Sequence, residues 1–347
     1  MGEENARMQA ITIDRYGPPD VLRFEDPERP VPGQGEVLVR VVAGSANPRD
    51  WHLIRGLPLI ARPQMGLRKP KWRFPGSDIA GVVQELGGGV TEFVPGDEVY
   101  ANVESGGFSE YVCVVEGILA RKPANLTFEE AAVVPLAAIT ALQGLRHGGV
   151  RAGQQVLIVG ASGGVGSFAV QIAKALGAHV TGVCSTPNVE LVRSLGADDV
   201  VDYTREDFTA VGPRYDVILQ LGGTTSARAC RRALKKDGVL VLSSGEGGGR
   251  WFGPMGRLVS GMLLSPFVSQ KLGPFTAKAS AEDLDTLRTM IEAGDLRPVI
   301  ERTYSLSETA EAIRHVETAH VRGKLAISVQ PAVPGADHAS GSELARS

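Results

Sequence analysis

The stretch Val156-Leu-Ile-Val-Gly-Ala-Ser-Gly-Gly-Val-Gly-Ser-Phe-Ala-Val-Gln-Ile-Ala-Lys-Ala-Leu-Gly177 determines the predicted fold. It begins with a short aliphatic run, continues through a glycine-rich turn, and ends in a segment whose apolar residues recur every three or four positions. That recurrence predicts a helix with one apolar face, and Gly177 is placed to end it. The apolar face consists of Val165, Phe168, Ala169, Ile172, Ala173 and Leu176.

The glycines of this turn, Gly160, Gly163 and Gly166, have the spacing of a dinucleotide-binding site. In such a site they allow a tight turn, a close approach of the backbone to a pyrophosphate, and close packing of helix on strand. The first amides of the helix then face the anion. A further strand, His179–Cys184, completes a strand–helix–strand unit. We expect cofactor contacts from Gly160, Ser162, Gly163, Gly164, Val165 and Gly166.

A second interpretation uses the same residues. Gly160-Ala-Ser-Gly-Gly164 also matches G-x-S-x-G, the nucleophile turn of many hydrolases. Ser162 would then need a histidine later in the chain, and His315 or His320 could be nominated. We favour the dinucleotide site because Gly166 completes a spacing that a hydrolase does not require. About 130 residues of strand-rich sequence also precede the turn, which hydrolases of this kind normally lack.

The second strand is not followed by the acidic residue that binds the ribose 2′-hydroxyl of NAD. The residues that follow it are Cys184-Ser-Thr-Pro-Asn188, and the nearest carboxylate, Glu190, lies in the next predicted helix. A 2′-phosphate would therefore not be repelled here. We predict NADPH as the cofactor.

Polar groups near this turn could bind the adenosine end of NADPH. Ser185 and Thr186 can donate hydrogen bonds to the 2′-phosphate, and Tyr203, after the next short strand, can flank the adenosine. The turn itself contains no cation. Arg193, one helix face away, is the candidate.

The overall composition narrows the class of protein. A chain of 347 residues with 43% hydrophobic residues predicts two well-packed domains. A net charge of −3 gives no indication of nucleic-acid or membrane-surface binding. We expect no membrane span and no signal peptide. Three dispersed cysteines argue against a disulfide framework and, with these features, favour a cytoplasmic location.

The chain changes character near residue 128. Before it, turn-separated strands are predicted at 8–13, 35–43, 79–86 and 110–115. A helix is predicted at 128–144. After it, strands at 215–220 and 238–243 flank a helix at 226–235, which indicates a parallel sheet covered on both faces. Helices are predicted at 281–293 and 307–318, and a closing strand at 325–330. We expect 331–347 to be disordered. The segment at 245–275 could be a mobile lid near the site, a subunit contact or part of the core. The basic segment at 55–72 could be disordered or a lid.

Taken together, these motifs resemble the medium-chain dehydrogenase/reductase superfamily, and within it the zinc-independent NADPH:quinone oxidoreductase (zeta-crystallin-like) group. The resemblance runs from about residue 8 to 330. It rests on Tyr16-Gly-Pro-Pro-Asp-Val-Leu22, Ala46-Asn-Pro-Arg-Asp50, Pro75-Gly-Ser-Asp-Ile-Ala-Gly-Val-Val83, Gly96-Asp-Glu-Val-Tyr100, the glycine turn and Arg322-Gly-Lys-Leu-Ala-Ile327. It implies an α/β protein in which a GroES-like β-rich domain (1–134 and 276–330) accompanies a Rossmann doubly wound parallel-sheet domain (135–275), with the active cleft between them.

Zinc-dependent members of the superfamily carry a cysteine and a His-Glu pair where this chain has Ser45-Ala-Asn47 and Ser77-Asp78. Their structural zinc needs four clustered cysteines, and this chain has three in total. Zinc prefers thiolate and imidazole ligands. We therefore predict that the protein binds no metal.

Without a metal, hydride transfer to a quinone or an α,β-unsaturated carbonyl fits better than alcohol oxidation. The resemblance places Asn47 and Asp50 in the cleft, with Asn47 holding the acceptor oxygen or the nicotinamide ribose and Asp50 orienting its neighbours. His52 stands where related enzymes often have a tyrosine and is a candidate proton donor. A surface or structural role for His52 remains open.

The resemblance also implies cofactor contacts from Thr140, Ser243, Phe275 and Lys324, and a homodimer. Two alternatives remain open at this point. One is a 2-enoyl thioester reductase. The other is an NADPH-binding accessory or redox-sensing protein with little turnover.

Overall fold

A computed structural model describes residues 6–210, 212–243, 249–251, 253 and 268–329. The predicted tail at 331–347 and most of the 245–275 loop lie outside these residues. The first part of the chain forms β1 (Ala10–Thr12), β2 (Arg23–Glu25), β3 (Glu36–Ala46), α1 (Pro48–Arg55), α2 (Arg62–Met65), β4 (Asp78–Leu86), β5 (Glu98–Asn102), β6 (Tyr111–Val115), β7 (Leu119–Arg121) and α3 (Phe128–Ala132).

The rest of the described chain alternates helices and strands before it returns to the first sheet. Its elements are α4 (Pro135–His147), β8 (Gln155–Val159), α5 (Gly164–Ala175), β9 (His179–Cys184), α6 (Val189–Ser194), β10 (Asp199–Asp202), β11 (Tyr215–Gln220), α7 (Ala227–Ala233), β12 (Leu234–Leu242), β13 (Lys271–Pro274), α8 (Ala281–Glu292), β14 (Ile300–Ser305), α9 (Thr309–Glu317) and β15 (Lys324–Ser328).

Two large sheets organise the described residues. The first has the strand order β14-β15-β3-β4-β5-β7, with β6 also paired to β3, and its pairs are antiparallel except for β14 with β15. The second is wholly parallel, in the order β10-β9-β8-β11-β12-β13. The expected α/β architecture, a β-rich GroES-like domain beside a Rossmann sheet, is confirmed.

The closing strand β15 joins the end of the chain to its beginning. It lies antiparallel to β3, with Leu325 opposite Ala46 and Ala326 opposite Ser45. This register brings the residue at the start of β15, Lys324, next to the residues that follow β3. The start of α1, capped by Asn47, is therefore built beside the C-terminal strand.

One apolar cluster bridges the two sheets. It contains Ile158 of the parallel sheet and Tyr100 of the other sheet, together with Leu284 and Leu287 of α8. The hydroxyl of Tyr100 donates a hydrogen bond of 2.6 Å to the carbonyl oxygen of Leu284. Helix α8 therefore packs at the junction of the two sheets, and the chain rejoins the antiparallel sheet at β14.

The helix predicted at 128–144 is two helices. Thr127 caps α3, whose Glu130 amide donates to the Thr127 hydroxyl at 3.2 Å. Helix α4 then begins at Pro135, which has no N–H to donate and restricts the residue before it. The apolar periodicity correctly predicted helices in this segment, whereas Pro135 determines where α3 and α4 are separated.

The sequence did not predict strands β2, β5, β7, β13 and β14 or helices α1 and α2. The predicted helix at 226–235 ends at Ala233, and β12 begins directly after it, at Leu234. The segment 55–72, a candidate lid in the sequence analysis above, lies within the described residues and contains α2. Among the described residues, no helix has the length and apolar character needed to cross a membrane.

Candidate active site

A cleft of about 830 Å³ runs between the two sheets. This volume is within the range of small-molecule and cofactor sites. Residues of both sheets and of the glycine-rich turn form its walls. They include Asn47, Leu136, Gly160, Ser162, Gly163, Gly164, Val165, Gly166, Ser185, Asn188, Tyr203, Arg205, Ser243, His320 and Lys324.

The glycine-rich turn has the geometry that a pyrophosphate requires. Gly160 has a φ of +86°, a conformation that side-chain-bearing residues rarely adopt. A Cβ on Gly166 would lie 2.0 Å from the carbonyl oxygen of Gly160, so only glycine allows the helix to approach so closely. Helix α5 begins at Gly164, and its first amides have no acceptor within the helix. The turn therefore fits a dinucleotide pyrophosphate.

The C-terminal strand is attached directly to this turn. The Gly323 amide donates to the carbonyl oxygen of Ser162 at 2.8 Å, and Gly323 bridges Gly163. A Cβ on Gly164 would lie only 2.8 Å from Cδ of Lys324. The stem of Lys324 therefore passes over Gly164, and the absence of a side chain there makes room for it.

The end of the cleft beside β9 and β10, where the adenosine is predicted to bind, is lined by Ser185, Asn188, Tyr203 and Arg205. Ser185 Oγ accepts a hydrogen bond from Asn188 Nδ2 at 3.2 Å, while Asn188 Oδ1 is buried without a partner among the described residues. Tyr203 is 57% exposed. These groups leave acceptors and a ring face available to a nucleotide.

Arg205 is a cation at this end of the cleft that was not predicted from the sequence. Its Nε lies 3.5 Å from Oδ2 of Asp202, and its side chain is 73% exposed. Arg193, the residue nominated from the sequence, pairs with Glu190 at 2.7 Å and is not among the cleft residues. The sequence feature that could have identified Arg205 is its position two residues after Tyr203, which was predicted to flank the adenosine.

Asp202 is a carboxylate near the second strand of the nucleotide-binding unit, and its position there was not predicted from the sequence. It is opposite Cys184 in the pairing of β10 with β9. Its Oδ2 accepts from Thr186 Oγ1 at 2.5 Å, and its Oδ1 accepts from the amide and hydroxyl of Thr204. These hydrogen bonds, the Thr186 bond first, lower the pKa of Asp202. Thr186 is therefore occupied by Asp202 and does not line the cleft.

A buried polar network lies at the other end of the cleft. Nζ of Lys324 donates to Oδ1 of Asn47 and lies 3.7 Å from Oδ2 of Asp78. Asn47 Nδ2 donates to Asp78 Oδ2 at 3.0 Å and to the carbonyl oxygen of Ser45 at 3.1 Å. Ser45 Oγ donates to the same oxygen of Asp78 at 2.8 Å. The four side chains are all buried.

Asp50 lies behind this network and orients it. Its Oδ2 accepts from the Asn47 amide at 2.8 Å, and its Oδ1 accepts from Ser77 Oγ. Because the carboxyl is fully buried, its pKa is raised to about 6, in spite of the hydrogen bond from Ser77 and the charge of Arg49. Asp50 does not line the cleft.

Eleven of the predicted site residues line one cleft, and five do not. The eleven are Asn47, Gly160, Ser162, Gly163, Gly164, Val165, Gly166, Ser185, Tyr203, Ser243 and Lys324. The five that do not are Asp50, His52, Thr140, Thr186 and Phe275.

Three of these five have contacts elsewhere. His52 stacks on Trp51, and its Nδ1 lies 2.9 Å from the carbonyl oxygen of Leu57. Burial lowers the pKa of His52. The hydroxyl of Thr140 donates to Leu136 of its own helix at 2.6 Å. Phe275 packs on His147, with ring centroids 5.6 Å apart.

The hydrolase interpretation has no support in the geometry. Within the described chain, no hydrogen bond joins Ser162 Oγ to His315 or His320. His315 Nδ1 lies 2.9 Å from the hydroxyl of Tyr304 instead.

The described residues also contain no group of three or more His, Cys, Asp or Glu side chains that could hold a metal ion. Ser45 and Ser77, in the segments compared with zinc ligands, donate hydrogen bonds to Asp78 and Asp50.

Known families match both parts of the chain. The alcohol dehydrogenase GroES-like domain matches residues 33–124, and the zinc-binding dehydrogenase family matches residues 195–327. The mitochondrial NAD(P)H oxidoreductase RTN4IP1 of Mus musculus is 38% identical, and the match covers 93% of this chain and 89% of the relative.

Two further similarities extend over most of the chain. The chloroplastic NADPH-dependent alkenal/one oxidoreductase of Arabidopsis thaliana is 34% identical, with 92% of this chain and 79% of that protein covered. The structure of the quinone oxidoreductase from Coxiella burnetii superposes with a TM-score of 0.83 at 30% identity, over 93% of this chain and 100% of that one. The chain therefore belongs to the medium-chain dehydrogenase/reductase superfamily and, like these relatives, is an oxidoreductase that uses a nicotinamide cofactor.

Proposed function

We propose that the protein transfers hydride from NADPH to a quinone or an α,β-unsaturated carbonyl compound, without zinc. The observation that carries this proposal is the single cleft that extends from the glycine-rich turn to the buried network around Lys324. One end fits a dinucleotide, and the other presents polar groups where an acceptor would meet the nicotinamide. The relatives named for alkenal/one and quinone reduction support the same acceptor classes.

NADPH would be held by the turn and by the adenosine end of the cleft. The amides at the start of α5 would bind the pyrophosphate, with Gly160, Gly163 and Gly166 allowing its approach. Arg205 and Ser185 would bind the 2′-phosphate, and Tyr203 would flank the adenine. Arg205 supplies the positive charge that distinguishes a 2′-phosphate from a 2′-hydroxyl.

The nicotinamide, when bound, supplies the hydride. The protein has to hold the acceptor against it, exclude water and stabilise the negative charge that develops on the acceptor oxygen. Asn47 and Lys324, which are both in contact with Asp78, lie in the wall where this oxygen would be bound. Asp50 would hold the amide of Asn47 in place.

The absence of zinc is proposed from the donor groups of this chain. The segments compared with the zinc ligands carry Ser45 and Ser77, whose hydroxyls donate hydrogen bonds to carboxylates. These residues offer neither a thiolate nor an imidazole, the ligands that zinc prefers. The expected homodimer stays a prediction. The cytoplasmic location also stays a prediction, since two of the relatives named here are mitochondrial and chloroplastic.

The test is NADPH oxidation by the purified protein with a para-quinone, an ortho-quinone, an enone and an enoyl thioester. NADH and a chelator are the controls. We expect turnover that prefers NADPH, resists the chelator and is fastest with a quinone or the enone. Tight NADPH binding without turnover on any acceptor would favour an accessory role, and loss of activity with chelator would contradict the absence of zinc.

A further inference from the structure

Lys324 is an almost fully buried lysine. Its side chain is 4% exposed, and it still forms part of the cleft wall. Burial of an ammonium group is costly unless it is paired with charge and hydrogen-bonded. Here the compensation comes from Asp78, whose carboxylate is fully buried, and from the side-chain oxygen of Asn47.

The neighbours of Lys324 have no hydrogen-bond donor left for a ligand. Asn47 Nδ2 is shared among Ser45 and Asp78. Asp78 Oδ1 accepts from Asn102 Nδ2 at 3.2 Å and from the Leu136 amide at 2.9 Å. In this arrangement Asn47 is not available to donate to the acceptor oxygen, the role that the sequence suggested for it.

The ammonium group, in contrast, has a donor to spare. It carries three N–H groups, and its two described polar neighbours, Asn47 and Asp78, account for two of them. A buried donor without a partner is unusual in a folded protein and indicates a bound ligand or water. The side chain of Lys324 lines the cleft, so an acceptor oxygen bound there could accept a hydrogen bond from the third N–H group.

We propose that Lys324 is the catalytic cation of this reductase, which binds the acceptor's carbonyl oxygen and then protonates it, and that Asn47 and Asp78 are its positioning residues. This inference rests on the proposed function. The position of the stem of Lys324 over Gly164, at the start of α5, brings the same residue close to both cofactor and acceptor.

The step balances with an enone as the acceptor. Hydride supplied by bound NADPH would form a C–H bond at the β-carbon. The C=C electron pair would then form a double bond between the α-carbon and the carbonyl carbon, the C=O π pair would move to the oxygen, and NADP⁺ would remain. The ammonium group stabilises the resulting enolate oxygen and transfers a proton to it, and the neutral amine then takes a proton from water. The enol converts to the saturated ketone. A quinone accepts the hydride and the proton to give a hydroquinone.

The charges around Lys324 suit this role. Burial lowers the pKa of its ammonium group, and the negative charges of Asp78 and Asp50 oppose that effect. The ammonium group is therefore a better acid than that of an exposed lysine, while the two carboxylates favour its charged form. We expect kcat to decline at alkaline pH, with an apparent pKa below that of an exposed lysine.

Lys324→Met and Lys324→Arg test the inference, with Lys235→Met as the matched control. Lys235 pairs with Asp216 on the surface, outside the cleft. We expect Lys324→Met to lower kcat by about 100-fold or more, the usual contribution of an acid–base group. Lys324→Arg should retain more activity and lose the alkaline decline, because a guanidinium group does not titrate in this range. The affinity of Lys324→Met for NADPH, measured by the fluorescence of the nucleotide, should fall only a few-fold.

A second readout does not depend on turnover. In the NADP⁺ complex, para-nitrophenol serves as a mimic of the oxyanion, and its colour reports its ionisation. The wild-type protein should lower the pKa of the bound phenol, as should Lys324→Arg and Lys235→Met, whereas Lys324→Met should not. This comparison remains valid if loss of the cation weakens the fold, because Lys324→Arg retains the charge.

The inference is overturned if Lys324→Met keeps kcat within about threefold of the wild type, or if it still lowers the pKa of the phenol. Wild-type protein without turnover on any acceptor would instead contradict the proposed function. The two failures are therefore distinguishable.

Discussion

Nζ of Lys324 lies 3.7 Å from Oδ2 of Asp78, and both side chains are buried. The first residue begins the closing strand β15, and the second begins β4. Between them lies Asn47, which is hydrogen-bonded to both. Because the strand that carries Lys324 is also attached to Ser162 of the glycine turn, this contact couples the predicted acceptor site to the nucleotide site.

Gly166→Ala should disrupt the nucleotide turn. The added Cβ would lie 2.0 Å from the carbonyl oxygen of Gly160. We expect a loss of about 1–3 kcal/mol in the free energy of unfolding and much weaker NADPH binding. Chemical denaturation and nucleotide fluorescence measure the two effects. Gly117→Ala is the control, since its Cβ would meet nothing within 4 Å. Normal NADPH affinity in Gly166→Ala would contradict the assigned turn.

Arg205→Gln should change the choice of cofactor. Removal of the guanidinium group should reduce kcat/KM for NADPH by roughly 10-fold or more, the effect expected from losing a charge-assisted hydrogen bond. The value for NADH should change little. Arg193→Gln, which affects a surface pair with Glu190, is the control. If Arg193→Gln lowers NADPH selectivity and Arg205→Gln does not, the 2′-phosphate is bound by the residue nominated from sequence alone.

Asp50→Asn should change how stability depends on pH. The unfolded carboxyl loses its proton near 3.8 and the folded one near 6, so raising the pH through this range favours the unfolded state. Over this pH range the free energy of unfolding of the wild type should decrease by up to about 3 kcal/mol. That of Asp50→Asn should not show this decrease. Urea denaturation of both proteins between pH 4 and 7 gives the difference. A difference that is constant with pH would mean that the buried carboxyl titrates normally.

Tyr100→Phe should weaken the junction of the two sheets. The variant loses the 2.6 Å hydrogen bond to Leu284 without changing the shape of the ring. We expect a decrease of about 1 kcal/mol in the free energy of unfolding, with no change in nucleotide affinity. Tyr111→Phe, whose half-exposed ring packs under Arg29, is the control and should leave stability unchanged. Equal stability of the wild type and Tyr100→Phe would show that this hydrogen bond contributes nothing.

The sequence predicts well what local geometry determines. The glycine-rich turn and α5 follow from a continuous stretch, because Gly166 is required by its close approach to Gly160 within that same stretch. Arg205 was missed because its relation to Ser185 depends on the pairing of β10 with β9, where Asp202 is opposite Cys184. That register is a property of the folded sheet.

The polar end of the site shows a second limit of sequence reasoning. Asn47 and Asp50 were nominated together with His52, but helix α1 holds the His52 side chain against Trp51 and Leu57. Nothing in the spacing of these residues shows which of them the helix directs to the cleft. The burial of Lys324 was equally hidden, because it requires β15 to pair with β3.

The most direct test of the central claim is the fate of the hydride. The protein is supplied with NADPH deuterated at C4 and with an α,β-unsaturated ketone, and the product is analysed by mass spectrometry and NMR. We predict that the saturated ketone carries deuterium at its β-carbon. If ketone and NADPH bind but no deuterium appears in the product, or if the β-hydrogen comes from water, the protein is not the reductase described here.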